Sequence, residues 1–340
     1  MRTYVLFVMF LAAALAGAGP SAAGAPAPPA GAPLKVFVTL LPQAYFVERL
    51  GGPYVDVQVL VGPGQSPHTF DPTPQQMVRL SDARIFFAAG WPFEQRLLEK
   101  AKAVNPDLRF VDTRQGIPLR WMTAAEAEAD ERAEAREKSK AGPEGFRSLD
   151  GAGLQTPSGA AAKPESAHDD AAEADPHFWL NPRYAAIQAA TIAKALEAAD
   201  PTHAEAFKKN LAALDDDLDK LDSRLREALA PLKGRDFFVY HPAFGYFADA
   251  YGLRQIPVEI EGKEPTARQL ARLIDRAKAE GVRVLLVQPQ FSARSAQAVA
   301  AAIGGTVIPM DDLAKDYVAN LADMAEKVRR ALGGAGTQQK

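Results

Sequence analysis

The sequence predicts an α/β protein of two lobes. Each lobe is a small, mainly parallel sheet flanked by helices, and one long helix joins them. Three observations predict this. Short β-branched or aromatic runs alternate with helical patterns from Leu34 onward, and the alternation resumes after residue 233, as in successive βαβ units. Between the two series, one stretch carries leucines spaced by three and four, which is a single apolar helix face. Finally, His68, His177, His241 and Asp311 lie far apart in the chain, yet each falls where an apolar run gives way to a helix start. In a parallel sheet the carboxyl ends of strands share one crevice, and ligands bind there.

The bulk values suit a globular chain with room for two domains: 340 residues, 47% hydrophobic and 24% charged. A net charge of -3 argues against nucleic acid, which needs a basic surface. The first residues read as an export signal. Arg2 gives a positive start, residues 5–15 an apolar run, and Ala16-Gly17-Ala18 a small-residue cleavage pattern, with a second cut possible after Ala23. The run is shorter than the roughly 20 residues of a membrane span. The chain has no Cys, so it is expected to rest on its core without disulfides, with no thiol for a lipid anchor. The expected division is 1–23 signal, 24–33 a flexible Ala/Pro/Gly leader, 34–200 an N-terminal lobe, 201–232 the linking helix and 233–340 a C-terminal lobe.

In the first lobe, residues 35–41, 55–61, 84–88 and 109–111 are the expected strands. Helical patterns cover 44–50, a segment opening at Thr73-Pro74-Gln75-Gln76, and 92–104. At the second of these Thr is the N-cap, Pro the first helical residue and Gln the third. The pattern then stops. Between 124 and 175 the large apolar residues are Phe146, Leu149 and Leu154, too few to offset the entropy of ordering. Residues 114–175 are therefore expected to be largely a disordered acidic, Ala-rich loop, with a solvated helix possible in its first part. Asn181-Pro182 and Asp200-Pro201 each open a helix. Along the second, Phe207, Leu211, Leu214, Leu218, Leu221, Leu225 and Leu229 share one face. A coiled-coil dimer would use such a face, but α/β sequence on both sides fits a brace between lobes better. In the second lobe, 237–240, 255–260, 282–287 and 306–309 are expected strands, and 242–251, 267–280, 293–303 and 313–332 expected helices.

Three imidazoles and a carboxylate form a ligand set for a borderline ion such as Zn²⁺. Each residue also has a plainer reading. His68 alone could be an ordinary surface-loop imidazole. Phe178 and Trp179 could be core with His177 incidental. His241 could cap a turn. Asp311 could be an N-cap, a role open to Asp312 as well. The joint pattern is more specific, because three of the five His fall at the expected top of a sheet. His168 lies in the acidic loop, and His203 on an exposed helix where solvation suffices. The spacing matches neither zinc fingers nor the His-Glu-x-x-His of metalloproteases, so the fold must assemble the site from both lobes.

The segments PHTFDPTPQQM, DPHFWLNP, HPAFGYFADAYGL and EIEGKEPTARQL resemble the periplasmic solute-binding proteins of zinc and manganese ABC importers, the ZnuA-like cluster. The likeness spans nearly all of the chain after the leader; residues 114–175 depart from it. It implies two α/β lobes on one rigid helix with metal in the cleft, His68, His177 and His241 as ligands, and Asp311 as the acidic ligand. Manganese-type members usually have Glu at the third position, so His241 favours zinc. Some zinc-type members have Glu before the first His, where this chain has Pro67. The His-rich loop of zinc members is reduced here to His168 among acidic residues, which could form a weak cation patch or a plain linker. The Glu residues of EIEGKEPTARQL could be partners of a ligand His or surface charges.

The function these features imply is capture of Zn²⁺ in the periplasm and delivery to a membrane permease, by a monomeric binding protein and not an enzyme. A four-ligand shell leaves no open position for a reacting water. The alternatives are a manganese or iron binder of the same fold, with an adhesive surface role, and a secreted zinc hydrolase.

Overall fold

A computed structural model describes residues 31–121, 174–258, 267–279, 281–291 and 293–333. The expected signal, most of the leader, the stretch with His168 and the EIEGKEPT segment lie outside them. The first lobe runs β1 (Leu34–Val38), α1 (Leu41–Gly51), β2 (Val55–Val59), α2 (Pro74–Ser81), β3 (Ile85–Ala88), α3 (Pro92–Val104) and β4 (Arg109–Asp112). Its strands are all parallel, in the order β2-β1-β3-β4. The inner strands are buried on both faces, which is why IFFA reads as an unbroken apolar run while edge strand VDVQV is half-covered. The strand expected to reach residue 41 stops at Val38. Gln43 intercepts the chain there, its Oε1 accepting the N–H groups of Thr39 (3.0 Å) and Leu40 (3.1 Å), so that α1 begins at once.

Two long helices follow, α4 (Pro182–Ala199) and α5 (Ala204–Leu229). The expected caps at Thr73 and Asn181 form. Thr73 Oγ1 accepts Gln76 N–H at 3.2 Å, and Asn181 Oδ1 accepts Arg183 N–H at 3.0 Å. Asp200 does not cap α5. Its carboxylate instead meets His203 Nδ1 at 2.6 Å, and the His203 ring stacks on Tyr54 at 3.8 Å, so that imidazole is not simply solvated. Short 3₁₀ turns flank α5 at both ends.

The second lobe repeats the first: β5 (Asp236–Val239), α6 (Gly245–Tyr251), β6 (Arg254–Pro257), α7 (Ala267–Ala279), β7 (Val284–Val287), α8 (Ala293–Ala302), β8 (Thr306–Pro309) and α9 (Tyr317–Gly333). Its sheet is again parallel, in the order β6-β5-β7-β8. The helix expected from 242 starts at Gly245. Residues 241–244 make a turn in which Ala243 N–H bonds the His241 carbonyl at 2.8 Å and Phe244 N–H bonds Gln255 Oε1 at 2.9 Å.

Helix α5 buries Phe207, Leu214, Leu218, Leu221, Leu225 and Leu229, with Leu211 half-buried. It packs on α1 and α4 of one lobe and on α9 of the other, so its apolar face is consumed within the chain. A single core runs through both lobes, and a smaller one fills the far face of the second sheet. Polar contacts stitch the lobes as well. Trp179 Nε1 donates to the Asp312 carbonyl (2.8 Å), and the Tyr317 hydroxyl donates to the Trp179 carbonyl (2.6 Å). Buried Asp222 on α5 gathers Arg183 of α4, Arg226, and the Tyr251 hydroxyl of α6. The ends of the expected loop are built into this fold: Asp175 N–H bonds the Arg120 carbonyl at 2.8 Å. No helix among the described residues is long and apolar enough to cross a membrane.

Candidate metal centre

Each sheet order, 2-1-3-4 in its own numbering, reverses direction beside its first strand, and in such sheets ligands collect outside the carboxyl ends at that point. His68 sits in the connection from β2 to α2, on a 3₁₀ turn that Pro67 opens and Ser66 steadies by accepting His68 N–H at 3.3 Å. His241 follows β5 directly. Its main chain is held by Gln288 at the end of β7, whose amide donates to the His241 carbonyl at 3.1 Å. His177 precedes the 3₁₀ turn Phe178–Leu180 at the foot of α4.

The three imidazoles converge, each offering a ring nitrogen, and these atoms all lie within 4.8 Å of one another. His68 Nε2 and His241 Nε2 are 3.0 Å apart. His177 and His241 are buried, whereas His68 keeps an edge open to solvent. Aromatic walls shape the space. Trp91 stands edge-on to His68 and His177, Trp179 leans on His177, and Phe291 stacks on His241 at 4.9 Å. Trp91 itself is positioned by buried Glu94, which accepts the N–H groups of Ala89 (2.9 Å), Gly90 (2.7 Å) and Trp91 (3.0 Å) and the Thr39 hydroxyl. Gly90 is at φ 94°, and a Cβ there would strike the Arg114 guanidinium.

Although one edge of His68 meets solvent, desolvation of the ring in its packed surroundings, then the neighbouring His241 and His177, lower the imidazole to about 3, which favours the neutral ring with a lone pair to offer. His177 accepts its orientation from Asp175. Asp175 Oδ1 lies 2.8 Å from Nδ1 and 3.0 Å from the His177 backbone N. A proton on Nδ1 satisfies that contact and leaves Nε2 free for the centre.

Asp311, the expected acidic ligand, and its neighbour Asp312 take different places beside these rings. Neither Asp311 nor Asp312 belongs to the tight cluster of ring nitrogens. Asp311 Oδ1 accepts the Leu313 N–H (2.9 Å) and the Gln290 side-chain amide (3.0 Å), a local turn and not a helix cap, because the helix expected from 313 starts at Tyr317, where Asp316 accepts the Ala319 N–H at 3.3 Å. Asp312 turns inward instead, with Oδ2 4.0 Å from His177 Nε2. Burial pushes its carboxyl up to about 7, against the opposing pull of His241. Two adjacent Asp in a loop give no periodic signal to say which one faces in. Asp175 and Glu94 were also missed as supporting groups, the first because it ends a stretch of disordered composition.

The model of the family described as "Zinc-uptake complex component A periplasmic" matches residues 36–331. The chain is 26% identical over 309 residues to the high-affinity zinc uptake system protein ZnuA of Bacillus subtilis, covering 88% of this chain and 84% of that one. Among solved structures, a crystal structure of ZnuA superposes with a TM-score of 0.72 at 37% identity, covering 88% of this chain and 99% of that one. A zinc-bound ZnuA deletion mutant superposes at 0.70 with 36% identity, covering 88% and 98%.

Proposed function

Because the chain belongs to the periplasmic zinc-uptake complex component A family, we propose that His68, His177 and His241, with Asp312 as acidic partner, hold one Zn²⁺ between the lobes. The protein captures zinc in the periplasm and delivers it to an ABC-type importer. It is a solute-binding component and not an enzyme. The observation that carries the ligand assignment is the convergence of three imidazole nitrogens within 4.8 Å of one another.

Neutral imidazoles suit Zn²⁺ better than Mn²⁺, and a buried carboxylate supplies charge that partly neutralises the cation. Such a shell is closed, which suits holding a cargo rather than activating a water. His68, the ligand with an open edge, is the natural point of entry and exit. The stitched lobes and shared core limit motion, so release relies on contact with the permease or on protonation of the imidazoles. Residues 1–23 act as the export signal, and the mature chain works as a monomer.

The test is elemental analysis of the protein purified from the periplasm, combined with competitive titration by Zn²⁺ and Mn²⁺. One zinc per chain and preference for zinc are expected. A protein that takes up no zinc, or that prefers manganese, overturns the reading.

A further inference from the structure

The carboxylate that orients His177 belongs to a longer chain of contacts. Asp175 Oδ2 lies 3.3 Å from Arg120 Nη1, and Arg120 Nε lies 3.0 Å from Asp249 Oδ2 on α6 of the other lobe. The Arg120 backbone N–H donates to the Tyr246 hydroxyl, also on α6, at 2.7 Å. The Arg120 side chain is 8% exposed and that of Asp175 4%, whereas Asp249 is 58% exposed. Gly245, the first residue of α6, makes room for this: a Cβ there would fall 2.3 Å from the guanidinium. One buried fork therefore joins the partner of an N-lobe imidazole to the helix that starts four residues after His241.

We propose that Asp175 and Arg120 are positioning residues of the zinc centre: Asp175 fixes the His177 ring, and Arg120, through Asp249, holds that ring in register with the ligand from the opposite lobe. This rests on the reading that the three imidazoles bind zinc. A carboxylate on the far ring nitrogen fixes the tautomer and raises the basicity of the ligating nitrogen. A guanidinium presents several donors in a rigid plane, so it can serve two carboxylates at once, which an ammonium on a flexible stem does less well. Buried charge pairs of this kind hold geometry more than they add stability. The exposed end, Asp249, is where an outside contact could loosen the link and so speed release.

The test uses the full mature chain. Asp175→Asn should weaken zinc binding about tenfold to a hundredfold, the usual cost of losing such a partner. It should also populate the second His177 tautomer of the metal-free protein in long-range proton–nitrogen spectra, a change that general destabilisation does not produce. Arg120→Gln and Asp249→Asn should each accelerate zinc transfer to a chelator, and the double variant should be no faster than the faster single one, because both break one link. Unchanged affinity and tautomer in Asp175→Asn, or chelator rates that stay at wild type or multiply independently, overturn the proposal. If Asp175→Asn does not fold, the Arg120 and Asp249 variants decide it alone. Wild-type protein that takes up no zinc sinks the site assignment with it, whereas wild-type uptake with indifferent variants sinks only the positioning role.

Discussion

Replacing Asp312 by Asn should make the metal-free protein more stable and the zinc complex weaker. Asp312 is 5% exposed, and its carboxyl is pushed from 3.8 to about 7 by burial. A folded value above the unfolded one means that the folded apo-protein binds the extra proton between those limits. The stability that this group contributes is therefore full below 3.8 and is lost as pH rises through about 7. The shift of about 3 units corresponds to about 4 kcal/mol of charge burial at alkaline pH. Asn carries no charge to bury. Urea unfolding in the presence of a chelator should show the variant and wild type alike near about pH 4, with the variant more stable by up to about 4 kcal/mol near about pH 8.5. Zinc should invert that order, because the cation needs the anion that the apo-protein resists. Below about 7, this proton must leave on binding, so it contributes about a tenfold gain in wild-type affinity per pH unit, and the variant should lack that contribution. If Asp312→Asn is no more stable at alkaline pH and binds zinc as well as wild type, Asp312 is neither a strained acid nor a ligand.

Other outcomes follow from the same geometry. His241→Glu should move metal preference from zinc toward manganese in competitive titration; unchanged selectivity would remove His241 from the ligand set. His68 has a folded value of about 3 against 6.5, a depression, so its contribution to apo-protein stability is full above 6.5 and is lost as pH falls toward 3. His68→Asn should therefore flatten the acid limb of an apo-protein unfolding profile below 6.5. Leu221→Ala, in the buried face of α5, should cost about 2–5 kcal/mol by urea unfolding, and as one core spans both lobes the loss should appear as a single transition. Solution scattering should show little change in dimensions between apo and zinc-bound protein, since the lobes share that core and the Trp179–Asp312 and Tyr317–Trp179 bonds; a wide opening would contradict the stitched seam.

The fold was legible because its signals are local and repeated. Runs such as IFFA and VLLV mark buried parallel strands, and Thr73-Pro74 and Asn181-Pro182 mark helix starts through a side-chain oxygen and a fixed φ. The three imidazoles were legible because in a parallel sheet, strand ends alone decide what meets at the crevice. What was not legible depends on side-chain direction in irregular backbone. Asp311 and Asp312 differ only in which way a loop turns, and the N–H of Leu313 settles that turn by taking the Asp311 carboxylate. Arg120 and Asp175 are separated by 55 positions of mostly polar, Ala-rich sequence, and composition cannot reveal that the two ends of such a stretch bond to each other.

The cleft draws His68 and His177 from the first lobe and His241 and Asp312 from the second. On the proposed ligand set, neither lobe can chelate the ion as the whole does, since each supplies two of the four donors. Occupancy on that reading reports how the two lobes are seated: sliding one against the other, more than cutting the chain, would cost the grip on the cargo.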